Sequence, residues 1–372
     1  MRALAIVVLL CSQAFADPGV AGNSSSKILM SPRAVGMGES GVGLSNDLLT
    51  AVSLNPAGLA RLNYVQAAVT YNQLYEGFTM QHGAFVLPTA DYGAFALSGT
   101  MFHSNPIAGF DNLGARSNDV NVQDFSVSSH YARRLAGPSK DPSMGLFGGA
   151  GATFARSTLE TVSASSFLLD LGVLGVTRFG PGIASAGFSA TSLGQGPRYD
   201  VQRELPPTVY RGGLAYSWLV LGDPFSMAWD AKKASDQKLT YNLGLEYALK
   251  RIVFWRLGYA SDQDMGSGFR FGVGFKIKLF TVDYALSHGG NFGLTHLVGF
   301  SMKFGEPLDA TPVLTAEESE AILHVKRGNA LMRSGRDYDA ALEFNEALRL
   351  DPHNKEALQN LRRVREVMEG RH

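Results

Sequence analysis

The chain lacks the features on which several classes of protein depend. It has one cysteine in 372 residues, so no disulfide can form within it. Its 33 basic and 33 acidic residues balance, whereas a nucleic-acid partner normally needs a basic face. No spacing of His, Cys, Asp and Glu indicates a metal site, and residues 38–42 lack the closing glycine of a G-x-S-x-G nucleophile motif. We therefore expect no catalytic residue, metal, cofactor or nucleic-acid partner.

The N-terminus has the pattern of a secretory signal. A basic start precedes an apolar run, and Ala14-Phe15-Ala16 fits the small-x-small cleavage pattern. We expect a signal peptide over residues 1–16. Cys11 offers a lipoprotein alternative, but Leu10 is too large for the position before a lipid-modified cysteine. Beyond this segment no run of about 18 apolar residues occurs, so a membrane role would have to be carried by strands.

A period-two alternation runs through residues 239–304. Tyr241, Leu243 and Leu245 fall on one face of the first run, and Asn242 and Glu246 fall on the other. Successive side chains of a strand point to opposite faces, so each run is a strand with one apolar and one polar side. The same alternation and its turn residues predict about fourteen strands near 64–72, 81–88, 92–102, 119–134, 145–158, 167–178, 182–193, 208–219, 224–232, 239–250, 252–261, 268–278, 279–287 and 295–304.

The two faces favour a transmembrane barrel over a secreted sandwich or soluble barrel. The apolar face is rich in aromatics, including Trp218, Trp229 and Trp255, as lipid-water interfaces require. The opposite face carries small and charged residues, which a lumen tolerates and a dry core does not. We expect a mainly β, fourteen-stranded antiparallel barrel over 64–304, in contact with outer-membrane lipid. Its candidate lumen-lining charges are Arg211, Glu246, Arg256, Arg270, Lys276 and Asp283.

Residues 17–63 are not strand-like. Residues 36–41 match G-x-G-x-x-G, but a dinucleotide site needs a preceding strand and a following helix, which this stretch does not offer. The glycines instead indicate tight turns in a confined place. Asn46 and Asp47 can cap a short helix over residues 48–54, which Asn55-Pro56 would end. We expect an N-terminal plug over 17–63.

The string SPRAVGMGESGVGLSNDLLTAVSLNPAGLARL at residues 31–62 resembles the start of the FadL and PorV/PorQ group of outer-membrane barrels. Glu39 departs from the pattern, because the group usually has a small residue there. The resemblance extends to Phe304 and implies fourteen strands around an N-terminal plug. It places the plug motif, whose turn anchors the plug to the inner wall, at Asn55, Pro56, Ala57, Gly58 and Leu59.

The composition changes after Phe304. Residues 305–315 contain two prolines and read as a linker, and a capping-box pattern then begins a helical region over 316–372. Residues 321–354 resemble a tetratricopeptide repeat, with Gly328, Ala340 and Phe344 at signature places and Leu331 where a tyrosine is usual. The predicted groove residues of this domain are Ile322, Val325, Asn329, Met332 and Arg333.

Two functions remain open at this stage. The FadL resemblance implies a transporter that moves hydrophobic, fatty-acid-like small molecules past the plug. The PorV resemblance implies a non-transporting secretion or assembly component, whose barrel and repeat serve partner proteins. Because a barrel's last strand ends at the periplasm, we expect the helical domain on that side of a bacterial outer membrane. There it would bind a periplasmic or envelope protein.

Overall fold

The computed structural model describes residues 21–111, 113–138, 141–160, 162–199, 203–261, 266–308, 316–351 and 354–369. The predicted signal peptide and residues 309–315 of the predicted linker lie outside this range. The chain divides into two compact units, Met1–Leu308 and Asp309–His372.

The first unit is a closed barrel of fourteen antiparallel strands. The strands are β1 (Val65–Gln73), β2 (Thr79–Thr89), β3 (Gly93–His103), β4 (Val122–Ala136), β5 (Gly145–Leu159), β6 (Val162–Phe179), β7 (Gly182–Gly194), β8 (Val209–Val220), β9 (Asp223–Ala234), β10 (Leu239–Leu249), β11 (Val253–Ala260), β12 (Phe269–Ile277), β13 (Phe280–His288) and β14 (Leu294–Phe304). Neighbours in sequence pair, and β1 closes the barrel by pairing with β14. The predicted mainly β, fourteen-stranded fold is confirmed.

The observed strand bounds differ from the predicted ones by five residues at the start of β6 and by at most three elsewhere. Strand β6 begins at Val162, and its first residues are small on both faces, so no alternation marks them. The turn between β12 and β13 consists of Lys278 and Leu279, and Lys278 takes a φ of 53°. The sequence has no glycine or asparagine there to indicate that turn.

The barrel is apolar outside and polar inside. Trp229 on β9 and Trp255 on β11 are 43% and 58% exposed on the outer face. On β10, Asn242 and Glu246 are buried, whereas Tyr241 and Leu243, on either side of Asn242, are exposed. This inverts the arrangement of a soluble sandwich and matches a wall that faces lipid. Among the described residues, no helix is long and apolar enough to cross a membrane.

The two ends of the barrel differ in their connections. At the end where β1 begins and β14 ends, five of the six connections have two or three residues. At the opposite end, residues 104–121 and 195–208 form connections of eighteen and fourteen residues. We call these the short-turn end and the long-loop end.

Residues 21–62, here called the plug segment, pack against the inner wall. They form a 3₁₀ helix (Ser24–Lys27), α1 (Pro32–Gly36), α2 (Leu48–Leu54) and a second 3₁₀ helix (Pro56–Arg61). The Asp47 side chain accepts a hydrogen bond from the backbone N–H of Thr50 and caps α2, as the sequence predicts. Asn55 caps the helix that follows, so one short helix ends where the next begins.

Inward-facing glycines make room for the plug segment. A Cβ atom on Gly258 of β11 would overlap the backbone nitrogen of Gly38, and one on Gly172 of β6 would overlap Asn55 Oδ1. At each member of this set a Cβ would lie within 3.1 Å of a plug atom, so only glycine admits the plug at its observed depth. We call the set the glycine groove: Gly149, Gly172, Gly187, Gly244, Gly258, Gly272 and Gly299.

The second unit contains three helices, α3 (Ala316–Arg333), α4 (Asp337–Leu350) and α5 (Lys355–Glu369). The Phe344 ring on α4 is fully buried, and a Cβ on Gly328 of α3 would lie 2.6 Å from it. Gly335, with a φ of 74°, forms the turn between α3 and α4. Small residues at these places let the helices approach closely, which is the packing that the sequence pattern predicts.

We expect Gly258→Ala to lower the unfolding temperature of the barrel, because the new methyl group clashes with the plug backbone. The plug can relieve this clash only by moving away from the wall. Overpacking of this kind costs about 1–3 kcal/mol. The measurement is thermal unfolding of the purified protein in detergent micelles, followed by circular dichroism. The control is Gly83→Ala on the outer face of β2, where a Cβ meets nothing within 4 Å. Equal unfolding temperatures for the two variants would contradict the groove.

Candidate functional site

A chain of charged side chains, most of them buried, joins the plug segment to the wall. Glu246 on β10 accepts hydrogen bonds from Arg33 Nη2 at 2.7 Å and Arg33 Nε at 2.9 Å, and from Arg256 Nε at 2.7 Å. Arg256 Nη1 lies 2.6 Å from Asp283 Oδ1, and Arg33 Nη1 lies 2.9 Å from Asp47 Oδ2. We call these five residues the charge chain. Its central carboxylate is shared between one guanidinium of the plug and one of the wall.

A second ion-pair centre forms around Glu39 of the plug. Its carboxylate lies 2.7 Å from Arg270 Nη1 and 3.0 Å from Lys232 Nζ. Burial by itself would raise the pKa of Glu39, but these two cations outweigh burial and hold its pKa well below the usual range. The sequence indicates Glu39 only as a charged residue where the resembled group has a small one, and it does not indicate the partners.

The wall also holds the plug backbone. Asp230 Oδ2 on β9 accepts hydrogen bonds from the backbone N–H groups of Gly41 and Val42 at 2.8 and 3.0 Å. Ser185 Oγ on β7 donates to the carbonyl of Gly43 at 2.7 Å. Both wall residues are buried, so each bond is shielded from water.

The predicted plug motif lies deep in the interface. Asn55 Nδ2 donates to the carbonyl of Val173 on β6 at 3.0 Å, while its Oδ1 accepts from the N–H of Ala57 at 3.1 Å. Pro56 and Ala57 sit against the glycine groove at Gly149. All five motif residues, Asn55, Pro56, Ala57, Gly58 and Leu59, are buried.

The six predicted lumen residues all lie on strand faces that turn toward the plug. Glu246, Arg256 and Asp283 belong to the charge chain, and Arg270 pairs with Glu39. The charges of these four residues are thus neutralised by ion pairs within the protein. Arg211 is 2% exposed and its Nε has no hydrogen-bond partner. Lys276, by contrast, borders a cavity at the short-turn end.

The predicted groove of the helical unit needs correction at two residues. Val325 is only 4% exposed and packs into the core with Phe344, so it is not available to a partner. Met332 packs against the same core, because both residues fall on the apolar stripe of α3. Asn329 is bonded to Glu356 and Asn360, and Arg333 is exposed. The side chain of Ile322 lies outside the described part of the unit.

A cavity of about 420 Å³, here called the vestibule, lies at the short-turn end between plug and wall. The charge chain borders it, together with the cations Arg61, Lys276 and Lys303, which form no ion pair with any residue that the structure describes. Burial and the nearby charge of Arg33 lower the pKa of Arg61 to about 10, so it stays charged at neutral pH. The vestibule is therefore a positively charged mouth with an apolar side at Leu48 and neighbouring residues.

An apolar seam runs along the other side of the plug. Leucines of α2 and of the second 3₁₀ helix pack against small residues of β1–β4, and Leu29 and Met30 pack against β2 and β14. Every ion pair between the plug and the wall in the described residues instead joins β9, β10, β12 or the β9–β10 connection. We define the seam as Leu29, Met30, Leu48, Leu49 and Leu59 of the plug with Met80, Ala84, Val86, Ala96 and Leu297 of the wall.

A closed barrel with an apolar outer face and a segment packed inside it has the fold of a plugged outer-membrane barrel. No protein-family model matches the chain, and no curated protein matches it. Among solved structures, a deltaS2 mutant of the monoaromatic hydrocarbon channel TodX is similar, with a TM-score of 0.51 and 12% identity over 74% of this chain and 100% of that one. This likeness shows a shared fold.

Two further structures are similar over the same part of the chain. The toluene transporter TodX of Pseudomonas putida has a TM-score of 0.48 at 12% identity, covering 74% of this chain and 98% of that one. A FadL homologue of Pseudomonas aeruginosa has a TM-score of 0.45 at 11% identity, with the same two coverages.

We expect Glu246→Gln to destabilise the barrel strongly, because it leaves the guanidinium groups of Arg33 and Arg256 buried without their shared countercharge. Removing one partner of a buried ion pair costs roughly 3–5 kcal/mol. The measurement is the unfolding temperature in detergent micelles. Glu76→Gln, in the exposed β1–β2 connection, is the control and should leave it unchanged. A Glu246→Gln protein as stable as that control would show that the charge chain does not hold the plug.

Proposed function

We propose that this protein is a transporter of the bacterial outer membrane that moves hydrophobic small molecules between its plug and its wall. The observation that carries the proposal is the apolar seam, which consists of two apolar clusters between plug and wall. One contains Leu29 and Met80, and the other contains Leu48 and Leu49, which border the vestibule. The fold shared with the hydrocarbon channel TodX supports it.

Separating the plug from the wall would cost a different free energy on each of its two sides. On the β9–β12 side, separation leaves buried charges such as Arg33 and Glu246 without partners. On the β1–β4 side no ion pair joins the described plug residues to the wall, and separation along the seam exposes apolar surface, which an apolar cargo covers again. We therefore infer that cargo passes along the seam while the charge chain stays closed.

Fatty-acid-like cargo fits the vestibule in both of its parts. A hydrocarbon chain leaving the seam meets Leu48 and Leu49, and a carboxylate meets the unpaired cations Arg61, Lys276 and Lys303. These cations are free of internal ion pairs in the described residues, so they are the lumen charges best suited to contact cargo. The residues of the charge chain, by contrast, are already paired with one another.

The orientation follows from the connections. Bacterial barrels have short turns at the periplasmic side and longer loops outside. The short-turn end, where β14 ends, is then periplasmic, and the helical unit that follows is periplasmic too. We propose that this unit is a tetratricopeptide-like module that binds a periplasmic or envelope protein. Its α3 face offers Asn329 and Arg333. A secretion or assembly role without transport is the outcome if uptake fails.

A disulfide between plug and wall tests the transport proposal. A Cβ on Gly43 would lie 3.3 Å from the Cβ of Ala215 on β8, near the separation of about 3.5–4.5 Å that a disulfide needs. We expect the double variant Gly43→Cys/Ala215→Cys to keep its uptake of radiolabelled oleate into outer-membrane vesicles in the oxidised and the reduced state alike, because the tether lies beside plug contacts that stay closed and away from the seam. Ala215→Cys alone is the control and should respond to neither treatment.

The same experiment separates the two functions. Vesicles that contain the unaltered protein should take up oleate several-fold faster than vesicles without it. Equal rates would refute transport and favour the secretion or assembly role. Uptake that is lost on oxidation and regained on reduction would instead show that the plug must move near Gly43, which would refute passage along the seam past a fixed plug and leave transport intact.

We expect a photocrosslinking residue at Arg333 to capture an envelope protein in intact cells, because this side chain is exposed on the face of α3 that the repeat pattern assigns to partners. The control carries the same probe at Asn345, which is exposed on α4. Crosslinked species would be identified by mass spectrometry. The same yield and the same products at both positions would count against a binding face on α3.

A further inference from the structure

A depression of about 600 Å³ lies on the outer face of the barrel, over strands β1 to β4 and β14. At its centre are two glycines, Gly83 on β2 and Gly99 on β3, which are direct partners across the two strands. A Cβ atom on Gly83 would meet nothing within 4 Å, so no side chain fills the surface there. We call this feature the outer depression. Its volume falls in the range of about 300–1,000 Å³ that is usual for ligand pockets.

Large apolar side chains surround the outer depression. Val69 and Tyr71 on β1, Met101 on β3 and Phe300 on β14 line it, and they are between 39% and 58% exposed. Among the described residues of this lining, none is Asp, Glu, Lys or Arg. A concave surface without charge, on a wall that faces lipid, favours a hydrocarbon occupant.

A row of polar side chains borders the outer depression at the long-loop end of the same strands. Gln73 is the last residue of β1, Thr79 is the first of β2 and His103 is the last of β3. These residues are cross-strand neighbours, and the row continues to His296 on β14 and Gln123 on β4. Each of the five is two residues from one that lines the depression, so all belong to the same outer face.

The spacing between the polar row and the glycines corresponds to the dimensions of one leaflet. Gly83 is four residues from Thr79. Four residues of a strand span about 13 Å, and strand tilt makes the depth below the membrane surface smaller. Half of the hydrocarbon thickness of a bilayer is about 15 Å. The outer depression therefore lies at the level of acyl chains in the leaflet at the long-loop end, and the polar row lies nearer to their headgroups.

We propose that the outer depression binds one acyl chain of a phospholipid, whose ester groups lie at the polar row. Ester carbonyls accept hydrogen bonds, and the side-chain amides of Gln73 and Gln123 can donate them. The chain fills the space over Gly83 and Gly99, where an empty gap would forfeit dispersion contacts between lipid and wall. This site faces the membrane and not the lumen, so a protein that fails to take up oleate can still bind phospholipid.

The test is native mass spectrometry of the full-length protein in detergent micelles, titrated with palmitoyl-oleoyl phosphatidylethanolamine. We expect a saturable complex of one lipid per chain. Gly83→Leu fills the outer depression and should weaken binding by about tenfold, the effect of leaving roughly two methylene groups unburied. Gly175→Leu is the matched control, because Gly175 lies on the outer face of β6, where a Cβ would meet one backbone oxygen at 3.9 Å. Circular dichroism checks that each variant is folded.

A second measurement needs no substitution. Phosphatidylethanolamine with a diazirine on its acyl chain is photocrosslinked to the unaltered protein in vesicles of phosphatidylethanolamine and phosphatidylglycerol. We expect the crosslinked peptides to come mainly from β1 to β3, with Met101 among the labelled residues.

Four results would overturn the proposal. The first is the absence of a saturable one-lipid complex. The second is equal lipid affinity in the Gly83→Leu and Gly175→Leu proteins, which would place the binding elsewhere on the wall. The third is crosslinking spread evenly over all fourteen strands, which would show ordinary contact with the bilayer only. The fourth is displacement of the phospholipid by an equimolar amount of oleate, which would make the depression a cargo site.

Discussion

The Glu246 carboxylate lies between two guanidinium groups, Arg33 from the plug segment and Arg256 from the wall. A buried charge is tolerable only where it is paired and hydrogen-bonded, so neither arginine can leave without stranding the carboxylate. This requirement fixes α1 against β10 and β11. The depth of the plug, the lining of the vestibule and the position of the apolar seam all depend on that fixed contact.

Charge alone would not bring the plug close enough to make these bonds. The glycine groove lets the plug backbone approach the strands to a distance that any side chain would prevent, as at Gly258 and Gly172. Close approach in turn lets wall residues such as Asp230 bond the plug backbone directly. The many glycines of the sequence are thus part of a steric fit as well as of turns.

The strands could be predicted because their signal is local. Alternation with a period of two is visible in any ten residues, and fourteen such runs define the barrel. The helix at residues 48–54 could be predicted equally well from its cap at Asp47. The charges on the inner faces were also visible, but their partners were not. Arg33 and Glu246 are 213 residues apart, and no periodicity relates them. For the same reason the sequence does not indicate Glu39 as a site residue. The prediction for Val325 is wrong because groove and core positions follow the same spacing along a helix.

The lumen therefore contains two environments that place different demands on any molecule inside it. The β9–β12 side binds the plug through charges that are already satisfied, so a cargo there would have to replace ion pairs. The seam at Leu48 and Leu49 offers only apolar contact, which an apolar cargo reproduces as the plug side chains part from the wall. Hydrophobic passage along the seam is therefore compatible with a plug that stays bound to the β9–β12 side, because the two sides are held by different kinds of contact.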